Sequence, residues 1–173
     1  DIVVRADKSL LAVVRTDAID SGFEYSKGQL FYAESFDHGY TWTAPQLMGI
    51  PGHSPSMIRL PDGAIMLGCR RLSSTGNFTS VYFSRDGVNF EFLFNAAEPR
   101  AHRNSATGYP YFTMLNNEDI YMAFYAGDTT LSWPTKTYCA GNVIRYKGGL
   151  YIGPTGCGDL GYLTADINLD CKV

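Results

Sequence analysis

Apolar residues run along this chain in short stretches separated by small polar turns. Ile2-Val3-Val4 and Leu10-Leu11-Ala12-Val13-Val14 flank Asp7-Lys8-Ser9. Ser56-Met57-Ile58-Arg59-Leu60 and Ala64-Ile65-Met66-Leu67-Gly68-Cys69 flank Pro61-Asp62-Gly63. Tyr111-Phe112-Thr113-Met114-Leu115 and Ile120-Tyr121-Met122-Ala123-Phe124-Tyr125 flank Asn116-Asn117-Glu118. Each pattern predicts a β-hairpin, because runs of strand length are joined by residues that favour turns. No segment carries a helical period across a window of about eleven residues. The three turns, centred near Asp7, Asp62 and Asn117, recur every 55 residues.

A second hairpin follows each of the first two. Gln29-Leu30-Phe31-Tyr32-Ala33-Glu34 leads into Ser35-Phe36-Asp37-His38-Gly39-Tyr40-Thr41-Trp42, and Thr79-Ser80-Val81-Tyr82-Phe83 leads into Ser84-Arg85-Asp86-Gly87-Val88-Asn89-Phe90. Serine and aspartate side chains at such spacing hydrogen-bond the turn's own backbone, and Gly39 supplies a positive φ. Trp42 is expected to return a large apolar face between neighbouring strands, with Phe90 in its place in the second turn. Two linked hairpins per repeat describe a propeller blade, and a regular period of this size marks a repeat architecture. The expected fold is therefore all-β: a partial β-propeller of about three four-stranded antiparallel blades. The chain reads as a single domain, 1–173, with blades near 1–50, 51–100 and 101–173. Pro45, Pro51, Pro55 and Pro61 are expected in loops and at blade boundaries. The last third is less regular. A hairpin at 142–152 follows the third turn by only about 31 residues. Residues 160–169 resemble a strand entering a Ser/Asp turn, without its glycine and aromatic. The reading is three blades, the third with an insertion, or three and a partial fourth.

Hydrophobic residues make up 45% and charged residues 18%, which argues for a folded chain and against disorder. A formal net charge of −3 gives no electrostatic case for binding nucleic acid. No apolar run reaches the ~20 residues of a membrane-spanning helix. The four cysteines, Cys69, Cys139, Cys157 and Cys171, form no Cys-x-x-Cys pair, so no structural zinc site is expected. Cys69 reads as a small buried residue, and one disulfide among the other three stays open. No cofactor is called for. Asn77-Phe78-Thr79 fits a glycosylation triplet of a kind common by chance.

Strand alternation selects a candidate site. The first hairpin turn and the Ser/Asp turn of each blade fall on one side, so the loops that carry chemistry fall on the other. That side collects Arg15, Asp17 and Asp20 from the first repeat, His53, Arg70 and Arg71 from the second, and Arg103, Tyr109, Tyr125 and Asp128 from the third. Arginine suits carboxylate recognition because its planar fork binds in bidentate fashion. The plainer readings stand beside this one. Arg70-Arg71 also reads as a solvated strand end, His53 as a locally packed loop histidine, Asp17 and Asp20 as turn caps, and the tyrosines as core or rim aromatics.

The order Ser-x-Asp-x-Gly-x-Thr-Trp from Ser35 to Trp42 resembles the Asp box of the sialidase superfamily, and Ser84 to Phe90 resembles a shorter version. Ala6-Asp7-Lys8-Ser9-Leu10-Leu11-Ala12-Val13-Val14-Arg15 is similar to that family's first-blade segment. The resemblance covers roughly residues 1–125. It implies recognition of a glycan carrying an acidic sugar, with Arg15 and Arg70 or Arg71 on its carboxylate. If the protein is an enzyme, the implied activity is that of an exo-sialidase-like glycoside hydrolase, with Asp20 or Asp17 as acid/base; sialidases depart from the usual two-carboxylate scheme. It also slightly favours a secreted or periplasmic setting. No Arg-Ile-Pro motif and no counterpart of the family's nucleophile tyrosine occurs in the 173 residues. A non-catalytic module binding glycan or protein is therefore the alternative, and the five-bladed glycosidases are a further one, on the pattern Ile120 to Gly127. Since three blades leave a ring open, a homodimer completing the propeller is expected, with or without enzymatic activity; a fragment of a longer polypeptide, or an open assembly whose irregular tail covers the gap, is the alternative.

Overall fold

The structure, a computed structural model, describes residues 1–16, 28–73, 77–97, 107–128, 136–147, 150–154 and 163–164. Among these every regular element is a strand: β1 (Ile2–Val4), β2 (Leu10–Thr16), β3 (Gln29–Ser35), β4 (Gln46–Arg59), β5 (Ile65–Arg71), β6 (Phe78–Ser84), β7 (Glu91–Ala97), β8 (Thr107–Met114), β9 (Asp119–Asp128), β10 (Lys136–Lys147), β11 (Leu150–Pro154) and β12 (Leu163–Thr164). All pairings are antiparallel. Strands β1 to β7 neighbour one another in sequence order, and β8 to β11 form a separate sheet. The long strand β4 serves two blades. Its residues up to Pro51 pair with β3, and from Gly52 onward they pair with β5. The chain is thus all-β, a run of four-stranded blades forming part of a propeller.

The same hydrogen bond closes each first hairpin. Arg5 N donates to Ser9 O at 2.9 Å, Leu60 N to Ala64 O at 2.8 Å, and Leu115 N to Asp119 O at 2.9 Å. The turn side chains complete the closure. The Asp7, Asp62 and Asn116 side-chain oxygens accept from the backbone N–H groups of Ser9, Ala64 and Glu118 at 3.0, 3.1 and 2.8 Å.

Two cores follow from strand alternation, which sends successive side chains to opposite faces. Along β5, Ile65, Leu67 and Cys69 join Leu11, Val13, Leu30 and Tyr32 in a core between the first two blades. Met66, on the other face, joins Phe112, Ile120, Met122 and Ile144 in a core between the second and third. Gly68 fits here by having no side chain, since a Cβ would stand 2.9 Å from the Phe112 ring. Burying a residue of this size stabilises by about 1.5–3 kcal/mol.

The Ser35 and Ser84 turns are closed by their own side chains. Ser35 Oγ donates to Asp37 Oδ1 at 2.9 Å and accepts from Gly39 N at 2.8 Å, while Thr41 N donates to Asp37 Oδ1 at 2.8 Å. In the second turn Ser84 Oγ donates to Asp86 Oδ1 at 2.9 Å, and Val88 N and Asn89 N both donate to that oxygen at 2.8 Å. The hairpin turns and these turns share one end of the molecule. There Arg5 pairs with Glu34 and reaches Gly87 O at 3.4 Å, and Tyr146 Oη donates to Asp62 Oδ2 at 2.7 Å.

The structure changes some of these expectations and bears out others. Trp42 does not enter the space between strands: it remains 38% exposed, and its Nε1 donates to Gly39 O at 3.1 Å, so the indole folds over its own turn. Phe90 does pack against the core between the first two blades. Pro51 falls where β4 changes partner, at a blade boundary as expected, whereas Pro55 lies inside β4 and not in a loop, in a bulge, where proline is tolerated. Of the two readings of the hairpin at 142–152, the one without a fourth blade fits: the hairpin forms the outer half of the third sheet, because β10 pairs with β9 from Lys136 to Arg145. Of residues 160–169, Leu163 and Thr164 pair with β10, and the others lie outside the described residues.

The turn carboxylates make stability depend on acid. Hydrogen bonds from the Asn89 and Val88 backbone hold the Asp86 carboxyl well below its usual range, and those from the Thr41 hydroxyl and backbone lower Asp37. A lowered folded-state pKa contributes stability that is complete above the unfolded value, about pH 4, and is lost as pH falls through the folded value. Asp86→Asn is expected to be less stable than wild type at pH 7, with the gap in Tm closing as pH is lowered from 5 to 2. A gap that stays constant across that range contradicts the account.

Candidate functional site

At the end away from the turns, β5 finishes in Arg70-Arg71. Alternation sends the two guanidinium groups to opposite faces of the blade. Arg71 lies on the side of Cys69 and Tyr82, its guanidinium carbon 4.6 Å from the Phe78 ring centroid and 5.5 Å from that of Phe92. Arg70 turns toward the third blade. Its Nη1 donates to Tyr125 Oη at 3.2 Å, and its Nη2 lies 3.3 Å from His53 Nδ1. A guanidinium can only donate, so His53 Nδ1 accepts and the ring proton sits on Nε2. The Tyr109 ring centroid is 5.7 Å from the Arg70 guanidinium carbon and 5.5 Å from the Tyr125 ring.

Burial is graded across this group. His53 is 0% exposed, Arg70 5% and Tyr109 59%, so a buried imidazole and guanidinium sit behind an aromatic rim. A second polar pair adjoins them: Thr79, opposite Arg70 in the β5–β6 ladder, shares a 2.6 Å hydrogen bond with Thr107, whose hydroxyl also donates to Tyr125 O at 3.0 Å. Two glycines permit the close approach. A Cβ on Gly28 would stand 1.8 Å from His53 Nε2, and one on Gly108 would stand 2.9 Å from Arg70 Cβ.

The repeat explains why these residues meet. Arg15, Arg70 and Tyr125 are spaced 55 residues apart and lie near the end of the second strand of successive blades. Arg70 therefore touches its own repeat counterpart, Tyr125, across the seam. Sequence reasoning grouped His53, Arg70, Tyr109 and Tyr125, and the structure brings those four together. His53 is a strand residue, paired with Arg70, and not a loop histidine. Arg71 is separated from Arg70 by the sheet, and Arg15 is at the exposed end of β2. Asp128 ends β9, where its backbone pairs with Lys136. Asp17, Asp20 and Arg103 lie outside the described residues. Thr79, Thr107, Gly28 and Gly108 were not anticipated; only Gly108 left a signal, standing one period after His53.

The chemistry available here is recognition by a cation, an imidazole and phenol groups. Burial pushes the Cys69 thiol and the Tyr82 phenol up to about 12, so neither is a nucleophile at neutral pH. Among the described residues no three His, Cys, Asp or Glu side chains group as metal ligands would, and no helix is long and apolar enough to cross a membrane.

No protein-family profile and no curated protein sequence matches the chain. Solved structures do. A protein of unknown function from Dyadobacter fermentans superposes with a TM-score of 0.63 at 19% identity, over 84% of this chain and 37% of its own. The α-L-arabinofuranosidase Arb93A from Fusarium graminearum gives 0.57 at 17%, over 82% and 43%. A thermostable family-43 glycoside hydrolase gives 0.59 at 10%, over 90% and 56%. These likenesses bear on the fold, and the chain spans roughly 37–56% of the length of these neighbours.

The fit of Gly28 against His53 has a measurable consequence. Gly28→Ala places a methyl where the imidazole stands, and overpacking of this kind costs about 1–3 kcal/mol. Thermal unfolding is expected to show a Tm lowered by several degrees. An unchanged Tm would mean that His53 is not held against the Gly28 backbone.

Proposed function

We propose that this chain is part of a glycan-directed β-propeller whose ligand seat is the end opposite the turns, at the seam between the second and third blades. The observation that carries the reading is Arg70, held by His53 and Tyr125 behind the exposed ring of Tyr109. An arginine fixed by neighbours loses little conformational entropy on meeting a carboxylate, and an aromatic rim gives an apolar face for a sugar ring. The fold supports the same reading, since its neighbours include an arabinofuranosidase and a family-43 glycoside hydrolase.

The sequence resemblance adds the finer proposal that the ligand carries an acidic sugar, with Arg70 and its repeat counterpart Arg15 on the carboxylate. Hydrolysis of that sugar would take Asp20 or Asp17 as acid/base. A second reading is a five-bladed glycosidase, on the sequence pattern Ile120 to Gly127; the arabinofuranosidase among the fold neighbours favours a neutral pentose as its substrate. A glycan-binding module without turnover shares the seat with both. Further blades are needed to close a ring, and the exposed apolar residues Ile2, Val4, Val14 and Leu47 of the first sheet suit another blade. A second copy of the chain is the proposed source.

Calorimetry with 3′-sialyllactose, a glucuronate-terminated disaccharide and an arabino-oligosaccharide tests the seat and its charge preference. Arg70→Ala and Tyr109→Ala are each expected to weaken binding of the preferred glycan by about 5–30-fold, as losing 1–2 kcal/mol does. Binding that survives both substitutions removes the seat. Fluorogenic sialoside and arabinofuranoside, compared between wild type and Asp20→Asn, separate hydrolase from module: activity abolished in the variant supports the enzyme reading, and no turnover above blank sinks it.

A further inference from the structure

Two residues other than glycine hold the same unusual backbone one repeat apart. Ser54 has φ 50° and Tyr109 has φ 49°, both in the left-handed region. Each precedes a proline, Pro55 or Pro110, which further restricts its backbone. Each sits in a bulge of the first strand of its blade. The β4–β5 register shifts between His53 and Ser56, and the β8–β9 register shifts between Gly108 and Tyr111. In each case two residues face one on the partner strand, Cys69 in the second blade and Phe124 in the third. The device is therefore built twice, on consecutive blades, at the end that carries Arg70.

A left-handed residue with a side chain costs about 1–2 kcal/mol, and such strain persists only where its surroundings fix it. Bulges re-aim side chains, often beside functional sites. What the two positions present differs. Tyr109 puts a ring, 59% exposed, over the Arg70 guanidinium. Ser54 is partly buried, and its enclosed Oγ makes no hydrogen bond among the described residues. A buried hydroxyl without a partner costs about 1–3 kcal/mol. A ligand hydroxyl that reaches this oxygen would supply the missing bond.

We infer that Ser54 and Tyr109 are the ligand-reading positions of the second and third blades, Tyr109 as the face on which a sugar ring lies and Ser54 as a hydrogen-bond partner for one of its hydroxyl groups. The inference rests on the glycan reading, which already includes the Tyr109 ring, and adds Ser54 and the bulges that present both residues. It makes the bulge, and not the strand ends alone, the place where each blade meets its ligand.

Calorimetry with the same three glycans, together with thermal unfolding, tests it. Ser54→Gly and Ser54→Ala are expected to weaken binding of the preferred glycan by about 5–10-fold, in line with one lost hydrogen bond. Glycine accepts the left-handed backbone, so the Tm of Ser54→Gly should be unchanged or raised by up to about 4 °C. A residue that only held the strand in place would show the reverse, a lower Tm and unaltered affinity. Tyr109→Phe keeps the ring and should bind within about threefold of wild type, whereas Tyr109→Ala should not. If both Ser54 variants bind like wild type while Arg70→Ala does not, the inference is overturned and the glycan seat stands. If wild type binds none of the three glycans, the reading fails and the inference with it.

Discussion

One backbone hydrogen bond, made three times, sets the register of this protein. It joins Arg5 to Ser9, Leu60 to Ala64 and Leu115 to Asp119, always across a turn whose side chain accepts from the loop. A one-residue slip in a strand sends every side chain to the opposite face. Closing the hairpins at a fixed point therefore decides that Leu67 faces the first blade and Met66 the third. It decides equally that Arg70 and Tyr125 arrive at one height, where they can touch, and that the two bulges lie level with them. Core and candidate site are both results of that registration.

The repeat was legible in the sequence because its signals are local. Asp7 with Ser9, Asp37 with Thr41 and Asp86 with Asn89 close turns over two to four residues, and such contacts leave a pattern in any short window. The third blade was harder to read because its outer half depends on β10 finding β9, a pairing that nothing between them in sequence announces. The same limit applies to Trp42. Its residue type suggested burial, yet a hydrogen bond to its own turn carbonyl offered the indole a nearer partner.

For the site, side was readable and depth was not. Strand direction was enough to bring His53, Arg70, Tyr109 and Tyr125 to one end. It could not say that His53 would be enclosed under the Gly28 backbone, since that contact depends on how the neighbouring strand bends. The divergence of Arg70 from Arg71 follows from the two-residue period of a strand, and treating them as interchangeable overlooked it. Their surroundings differ accordingly: Arg71 rests on aromatic faces, while Arg70 meets groups that can form hydrogen bonds.

The continuity of β4 has a mechanical meaning. Residues Gln46 to Arg59 form one strand that belongs to the first blade at its beginning and to the second at its end. No linker separates the two sheets, so tilting one against the other strains a single stretch of backbone hydrogen-bonded on both sides. The first two blades should respond to load as one stiff plate. His53 and Ser54 sit just past the point where the strand changes partners, so a pull on the outer edge of the first blade would be felt at the floor of the candidate site.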